Sequence, residues 1–156
     1  MRITAIAIGT RMPAWVSKGV DDYLKRLPRH IELSFRELPA AQRGGKISPQ
    51  KQTDKEGEQM LKALRAPAHT IALDERGKQL TSPGWAQQLE IWLAEHSQVS
   101  FLIGGADGLA ASCRERADEI WSLSSLTLPH ALVRVVLAEQ IYRAWTLTQG
   151  HPYHRD

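Results

Sequence analysis

Hydrophobic and polar positions along the chain follow two different periods. Short apolar runs, or apolar residues at every second position, predict β-strands. Such stretches occur at residues 2–8, 31–35, 69–74, 99–103 and 123–128. Between them, apolar residues recur at helical spacing, as they do after Pro13 up to a stop at Pro28. The chain is therefore expected to alternate strand and helix throughout.

Start and stop signals refine these elements. Ser48-Pro49 and Ser82-Pro83 each place a capping hydroxyl before a proline that suits the first helical turn. Ser112 and Glu115 lie three residues apart, as in a capping box, and predict the start of a short helix. Residues 75–77 (Glu-Arg-Gly) predict a turn away from the third strand.

The last helix is expected to begin at Pro129. Glu139 and Arg143 form an i,i+4 pair on it. Apolar residues surround most of its circumference: Leu132, Val135, Val136, Ile141, Tyr142 and Trp145. Such a helix needs cover on more than one face, which predicts a homodimer interface along it.

This order of elements, with strands that are mostly continuous apolar runs, predicts an α/β fold. We expect a mostly parallel sheet with helices on both faces. Residues 1–156 are expected to form a single domain, with no internal repeat or low-complexity tract.

Composition narrows the class of protein without naming it. The formal charge of +3 permits an RNA partner but does not require one. Cys113 is the only cysteine, which excludes an internal disulfide and a cysteine-rich zinc site. No run of 18 apolar residues occurs, and the N-terminal run is typical of a first strand rather than a signal peptide. We expect a cytoplasmic protein without a membrane anchor.

A glycine-rich turn, Gly104–Gly108, follows the fourth strand and precedes a helix. In parallel sheets, ligands bind beyond the carboxyl ends of the strands, where glycines let a backbone approach closely. The spacing matches neither the dinucleotide fingerprint nor the P-loop. A purely structural turn explains it equally well.

Residues 123–128 end at a comparable position and carry Ser124, Ser125 and Thr127 among leucines. Their hydroxyls and backbone groups could bind the edge of a purine while the leucines enclose its ring. Alternatively, they form a core strand whose small polar side chains bond locally.

Three further groups of charged or imidazole side chains are candidate sites: a loop, three histidines and the C-terminal tail. The loop with Arg43 and Lys46 around two glycines is more typical of a solvated loop than of a phosphate-contacting arm. His130, His151 and His154 match no zinc spacing, so we expect no metal. The tail HPYHRD (151–156) suggests catalytic or phosphate contacts, or simply docking on the surface.

Taken together, these segments resemble the RlmH-type ribosomal RNA methyltransferases, a branch of the SPOUT superfamily. The resemblance is carried by LIGGADGL (102–109) and by LSSLTLPHALVRVVLAEQIYRAWTLTQGHPYHRD (123–156), with support from AIGTRMPAW (7–15) and DKEGEQML (54–61). It implies a C-terminal trefoil knot, the SPOUT or α/β-knot fold, which the general rarity of knots argues against. It also implies a homodimer that uses S-adenosyl-L-methionine to methylate N3 of a pseudouridine in 23S rRNA on the assembled ribosome.

The resemblance also assigns roles to residues. It places the cofactor against Leu73, Gly104, Gly105, Leu123, Ser124, Ser125, Leu126, Thr127 and Leu128. As a hypothesis, His154 removes the N3 proton, Tyr153 stacks on or bonds the base, and Arg155 holds phosphate or a developing oxyanion. Arg143 and Arg134 are candidates for RNA contact. The alternatives are a tRNA methyltransferase of the same fold and a non-enzymatic ribosome- or RNA-binding module.

Overall fold

Five parallel strands form one sheet in the order β2-β1-β4-β3-β5. A computed structural model describes residues 1–42, 44–65 and 67–154, with only the backbone of His154. The strands are β1 (Arg2–Ile8), β2 (Glu32–Leu38), β3 (His69–Gln79), β4 (Gln98–Ile103) and β5 (Glu119–Ser122). The predicted α/β class with a mostly parallel sheet is confirmed.

Helices cover both faces of this sheet. They are α1 (Ala14–Leu24), α2 (Pro49–Ala63), α3 (Ser82–Glu95), α4 (Ala111–Arg116) and α5 (His130–Thr148), followed by a 3-10 turn at Pro152–His154. Helix α5 packs on α1 and α3, while α2 packs on α4. Within the described ranges, no helix is both long and apolar enough to cross a membrane.

Each face has its own core. The first contains Trp85, Trp92, Phe101 and Trp121, whose rings are stacked or edge-on, together with Leu137 of α5. The second lies under α2 and α4 and includes Ile6, Ile8, Leu102, Met60 and Cys113. Alternate residues of β1 and β4 supply opposite cores, because successive strand side chains point to opposite faces.

Two of the three predicted side-chain caps were misplaced. Ser48 caps α2 as expected, with its Oγ accepting a hydrogen bond from the Lys51 N–H. Helix α3 is capped by Thr81 rather than Ser82. The capping box at Ser112 is wrong, because the N-cap of α4 is Ala110, two residues earlier, and it has no side-chain cap. Ala110 is buried where it passes close to Gly57 of α2, so packing sets this start.

Two strand predictions also require correction. β3 continues through the predicted turn at 75–77, with a register shift against β5 between Leu73 and Lys78. Residues 123–128 are not a strand, since β5 ends at Ser122. Instead, the Ser122 hydroxyl donates to the Ser124 carbonyl, and Ser124 Oγ accepts from the Leu126 N–H. These local bonds offer the backbone an alternative to a strand ladder.

Candidate cofactor-binding site

A cavity of about 760 Å³ lies at the carboxyl ends of β4 and β5, beside the irregular middle of β3. Its volume is typical of small-molecule sites, and its position is where parallel sheets bind ligands. Residues 73–76 of β3, the glycine turn after β4 and the segment from β5 into α5 form its walls. The lining includes Leu73, Asp74, Gly104, Gly105, Gly108, Leu123, Ser124, Leu126, Thr127, Leu128, His130 and Val133.

The glycine turn folds back on itself at the mouth of this cavity. A Cβ on Gly104 would lie 2.5 Å from the carbonyl carbon and oxygen of Gly108. Gly108 has a φ of +85° and donates a backbone hydrogen bond to the Gly105 carbonyl. A side chain at position 104 would force the turn apart, so close backbone approach requires the glycine.

The segment after β5 forms the opposite wall. Every residue predicted to bind the cofactor lines the cavity except Ser125. Leu126 is 73 % exposed although it belongs to this wall. Exposed leucine beside polar loop atoms provides a surface on which an apolar ring could pack. Three chain segments far apart in sequence thus meet at one site.

A charged wall formed by residues 74–76 of β3 was not predicted from the sequence. The Asp74 carboxylate accepts two hydrogen bonds from the Arg76 guanidinium and one from its backbone N–H, and it lies 3.5 Å from the nearest nitrogen of Arg114. These bonds hold the pKa of Asp74 below its ordinary value, although burial opposes them. The signal available in the sequence was the position of Asp74 at the end of the strand predicted for residues 69–74.

Comparison with known proteins identifies the family. A family model described as "Predicted SPOUT methyltransferase" matches residues 1–154. The chain belongs to the SPOUT methyltransferase family. Membership agrees with the parallel sheet and implies a trefoil knot, which no hydrophobic period predicts.

Curated SPOUT relatives match along their whole length. A protein of Hahella chejuensis (strain KCTC 2396) is 49% identical over 156 residues, covering 100% of both chains. One from Marinomonas sp. (strain MWYL1) is 49% identical over 99% of this chain and 100% of its own. One from Thioalkalivibrio sulfidiphilus (strain HL-EbGR7) is 46% identical over 100% of both. Each is named "Ribosomal RNA large subunit methyltransferase H".

Arg134, named above as a candidate for RNA contact, is buried against the end of β1. It is 2 % exposed. One guanidinium nitrogen donates to the carbonyls of Ile8 and Gly9, and another lies 3.4 Å from Glu37. Burial lowers its pKa, and Glu37 opposes that shift. Arg134 therefore fastens α5 to the end of β1.

The C-terminal tail of the SPOUT chain folds back on α5. The Tyr153 hydroxyl donates to Glu139 at 3.1 Å, and its ring packs edge-on against Tyr142. Burial, and then the neighbouring Tyr23 and Glu139, raise the pKa of Tyr153 above its ordinary range. Arg143 pairs with Glu139 and lies 5.2 Å from the Tyr153 ring centre.

Several predicted residues cannot be placed in this SPOUT structure. The side chain of His154, and all of Arg155 and Arg43, lie outside the described residues. The backbone N–H of Tyr153 donates to the His151 ring. Among described residues, no group of three or more His, Cys, Asp or Glu side chains could hold a metal ion.

Proposed function

We propose that this chain transfers a methyl group from S-adenosyl-L-methionine to N3 of a pseudouridine in the 23S rRNA of the assembled ribosome. The cavity at the strand ends carries this proposal, because its three segments present glycine backbone on one side and leucines on the other. Family membership supports methyl transfer, and full-length relatives named as large-subunit rRNA methyltransferases support the substrate.

The residues present fit the proposed cofactor. Gly104 lets the turn close against the backbone of Gly108, and both glycines line the cavity. Leu73, Leu123 and Leu126 offer apolar contacts for an adenine ring, and Ser124 and Thr127 lie beside them. When bound, the cofactor supplies a methyl group that its sulfonium already makes electrophilic. The protein must then hold N3 in line with that methyl group and accept the N3 proton.

The tail supplies the candidate groups for this step. With its pKa raised and its hydroxyl bonded to Glu139, Tyr153 remains protonated at neutral pH and is a hydrogen-bond donor rather than the base. His154 remains our candidate for the base, since an imidazole titrates near neutrality. Arg155 is the candidate for phosphate or oxyanion contact.

We also propose that the site is completed by a second copy of the chain. The cavity borders the start of α5 at His130, whereas the tail packs on Glu139 and Tyr142. Glu139 lies roughly 14 Å along the helix from His130. Tyr153 is therefore held away from the cavity of its own chain, and the tail of a partner is the one that could contribute.

Two measurements test the proposal. Calorimetry with S-adenosyl-L-methionine or its demethylated product is expected to show stoichiometric binding. Methylation of ribosomes, free rRNA and tRNA is then compared, and the modified nucleotide is mapped by mass spectrometry. Modification on the ribosome at N3 of a pseudouridine is expected. No cofactor binding would indicate a non-enzymatic RNA-binding module, and modification of tRNA alone would indicate the other enzyme class.

A further inference from the structure

A second cavity, of about 370 Å³, lies on the sheet near the amino ends of β1, β2 and β4. It is at the opposite end of these strands from the proposed cofactor site. Seven residues of β1 separate the two ends, which corresponds to about 20 Å. We call it the polar groove; its lining includes Arg2, Thr4, Glu32, Ser34, Arg36, Arg65, Gln98 and Ser100.

Strand register arranges hydroxyl groups across the floor of the polar groove. Thr4 of β1 pairs with Ser34 of β2 on one side and with Ser100 of β4 on the other. Adjacent strands lie about 4.8 Å apart, so the three side chains form one straight row. Such a row presents several donors and acceptors toward the same ligand.

The groove exists because α2 ends before it covers the whole sheet face. Helix α2 stops at Ala63, above the apolar residues Ile6 and Leu102. Arg36 donates a 3.0 Å hydrogen bond to the Ala63 carbonyl and so occupies the border between the covered and the open part. Beyond that border, the residues that face this side of the sheet are polar.

Positive charge dominates the rim. Three arginines and one glutamate line the groove. Arg2 lies 3.7 Å from Glu32, but both side chains are more than half exposed, so this pair is weak in water. Guanidinium groups beside hydroxyls are the usual donors to phosphate oxygens.

Ser100 is the most deeply buried of the three hydroxyl residues in the row. It is 1 % exposed, and its Oγ has no hydrogen-bond partner among the described residues. Because this oxygen is also closed to solvent, Thr4 and Ser34 are the hydroxyl residues of the row that a ligand could contact without a rearrangement.

We propose that the polar groove binds the sugar-phosphate backbone of rRNA at a position remote from the methylated base. This inference depends on the proposed function in one respect, namely that rRNA is the substrate. Hydroxyls and guanidinium groups line the floor and rim, and the lining contains no aromatic side chain that could stack on a base. The contact would therefore position the substrate without reading its sequence.

The test compares two double variants that each remove two positive charges. Arg2→Ala with Arg65→Ala changes the groove, and Lys51→Ala with Lys55→Ala changes exposed side chains of α2 as the matched control. The groove variant is expected to raise KM for ribosomes about tenfold, with kcat and cofactor affinity unchanged. For binding to protein-free rRNA, the slope of log K against the logarithm of the salt concentration should become shallower by about 1.4.

Each other outcome has a distinct meaning. Equal loss in both double variants would show that net charge alone matters, which overturns the proposal. Weaker binding to ribosomes with unchanged binding to protein-free rRNA would identify a protein partner and also overturn it. If wild-type protein binds rRNA through the groove but methylates no ribosome, the proposed function fails while this inference stands. Matching thermal unfolding of both variants and the wild type confirms that they are folded.

Discussion

At the scale of single residues, the glycine turn leaves no space for a side chain at position 104. A Cβ at position 104 would meet backbone atoms of Gly108 and Leu109 at 2.5 to 2.8 Å, and backbone cannot move aside as a side chain can. The turn could be recognised in the sequence, but only the fold shows which of its glycines admits no substitution.

Gly104→Ala is expected to abolish cofactor binding and to lower the free energy of unfolding. The reason is that the turn must open to make room for the alanine side chain. Calorimetry with S-adenosyl-L-methionine and chemical denaturation measure the two effects. Gly84→Ala is the control, since its Cβ would have ordinary contacts no closer than 3.4 Å and lies in α3. Unchanged cofactor affinity in Gly104→Ala would contradict the assigned role of the turn.

We expect the free energy of unfolding to depend on pH through the ionisation of Asp74. Its pKa is lowered in the folded state, chiefly by hydrogen bonds from Arg76. The carboxylate therefore stabilises the fold fully above its ordinary pKa of 3.8, and this contribution is lost as pH falls toward the lowered value. Asp74→Asn should flatten the acid limb of a plot of unfolding free energy against pH. An acid limb identical to that of the wild type would exclude this contribution.

Replacing the buried Arg134 is expected to lower the free energy of unfolding substantially. Replacing it with methionine would leave the carbonyls of Ile8 and Gly9 without their guanidinium donor, at a cost of about 2 to 4 kcal/mol. Arg26→Met is the control, because Arg26 pairs with Asp22 on the exposed face of α1 and should cost less than about 1 kcal/mol. Denaturant titration measures both, and similar losses would contradict the anchoring role.

At the scale of elements, α5 connects the two parts of the proposed reaction. Its first turn borders the cavity, and its middle contacts Tyr153 of the tail through Glu139 and Tyr142. The hydrophobic pattern predicts this helix from Pro129 onward, but it does not indicate that Tyr153 packs on it.

Deleting residues 153–156 is expected to leave cofactor binding intact and to abolish methyl transfer, since Tyr153 contacts α5 and does not line the cavity. Calorimetry and incorporation of labelled methyl groups into ribosomes measure the two properties. Tyr153→Phe, which keeps the ring against Tyr142 but removes the hydroxyl, shows whether hydrogen bonding to Glu139 is needed. Normal turnover by the truncated protein would refute a catalytic tail.

At the scale of the whole molecule, the proposed homodimer depends on the outer face of α5. Leu132 and Val136 lie one helical turn apart and are half-buried. Among the described side chains that pack against the two cores, neither appears. An apolar stripe of this kind on a well-packed helix is typical of an interface between copies.

Val136→Asp is therefore expected to give a folded monomer that binds the cofactor but transfers methyl groups at least about tenfold more slowly. The loss follows if a partner's tail completes each site, and a buried charge is costly at an apolar interface. Light scattering measures the mass, and methyl incorporation measures the rate. Lys18→Asp is the control, because Lys18 lies on the exposed face of α1. A fully active monomer would contradict a shared site.

Local pattern alone determined the order of strands and helices and the α/β class, because burial on a sheet or a helix imposes a period that can be read along the chain. It failed where tertiary contacts compete with that period, as in residues 123–128, where serine bonds replace a strand, and at Ala110, where packing starts a helix. Only the folded chain brought Asp74 beside the glycine turn and buried Arg134. Both depend on contacts between residues far apart in sequence, which no local spacing records.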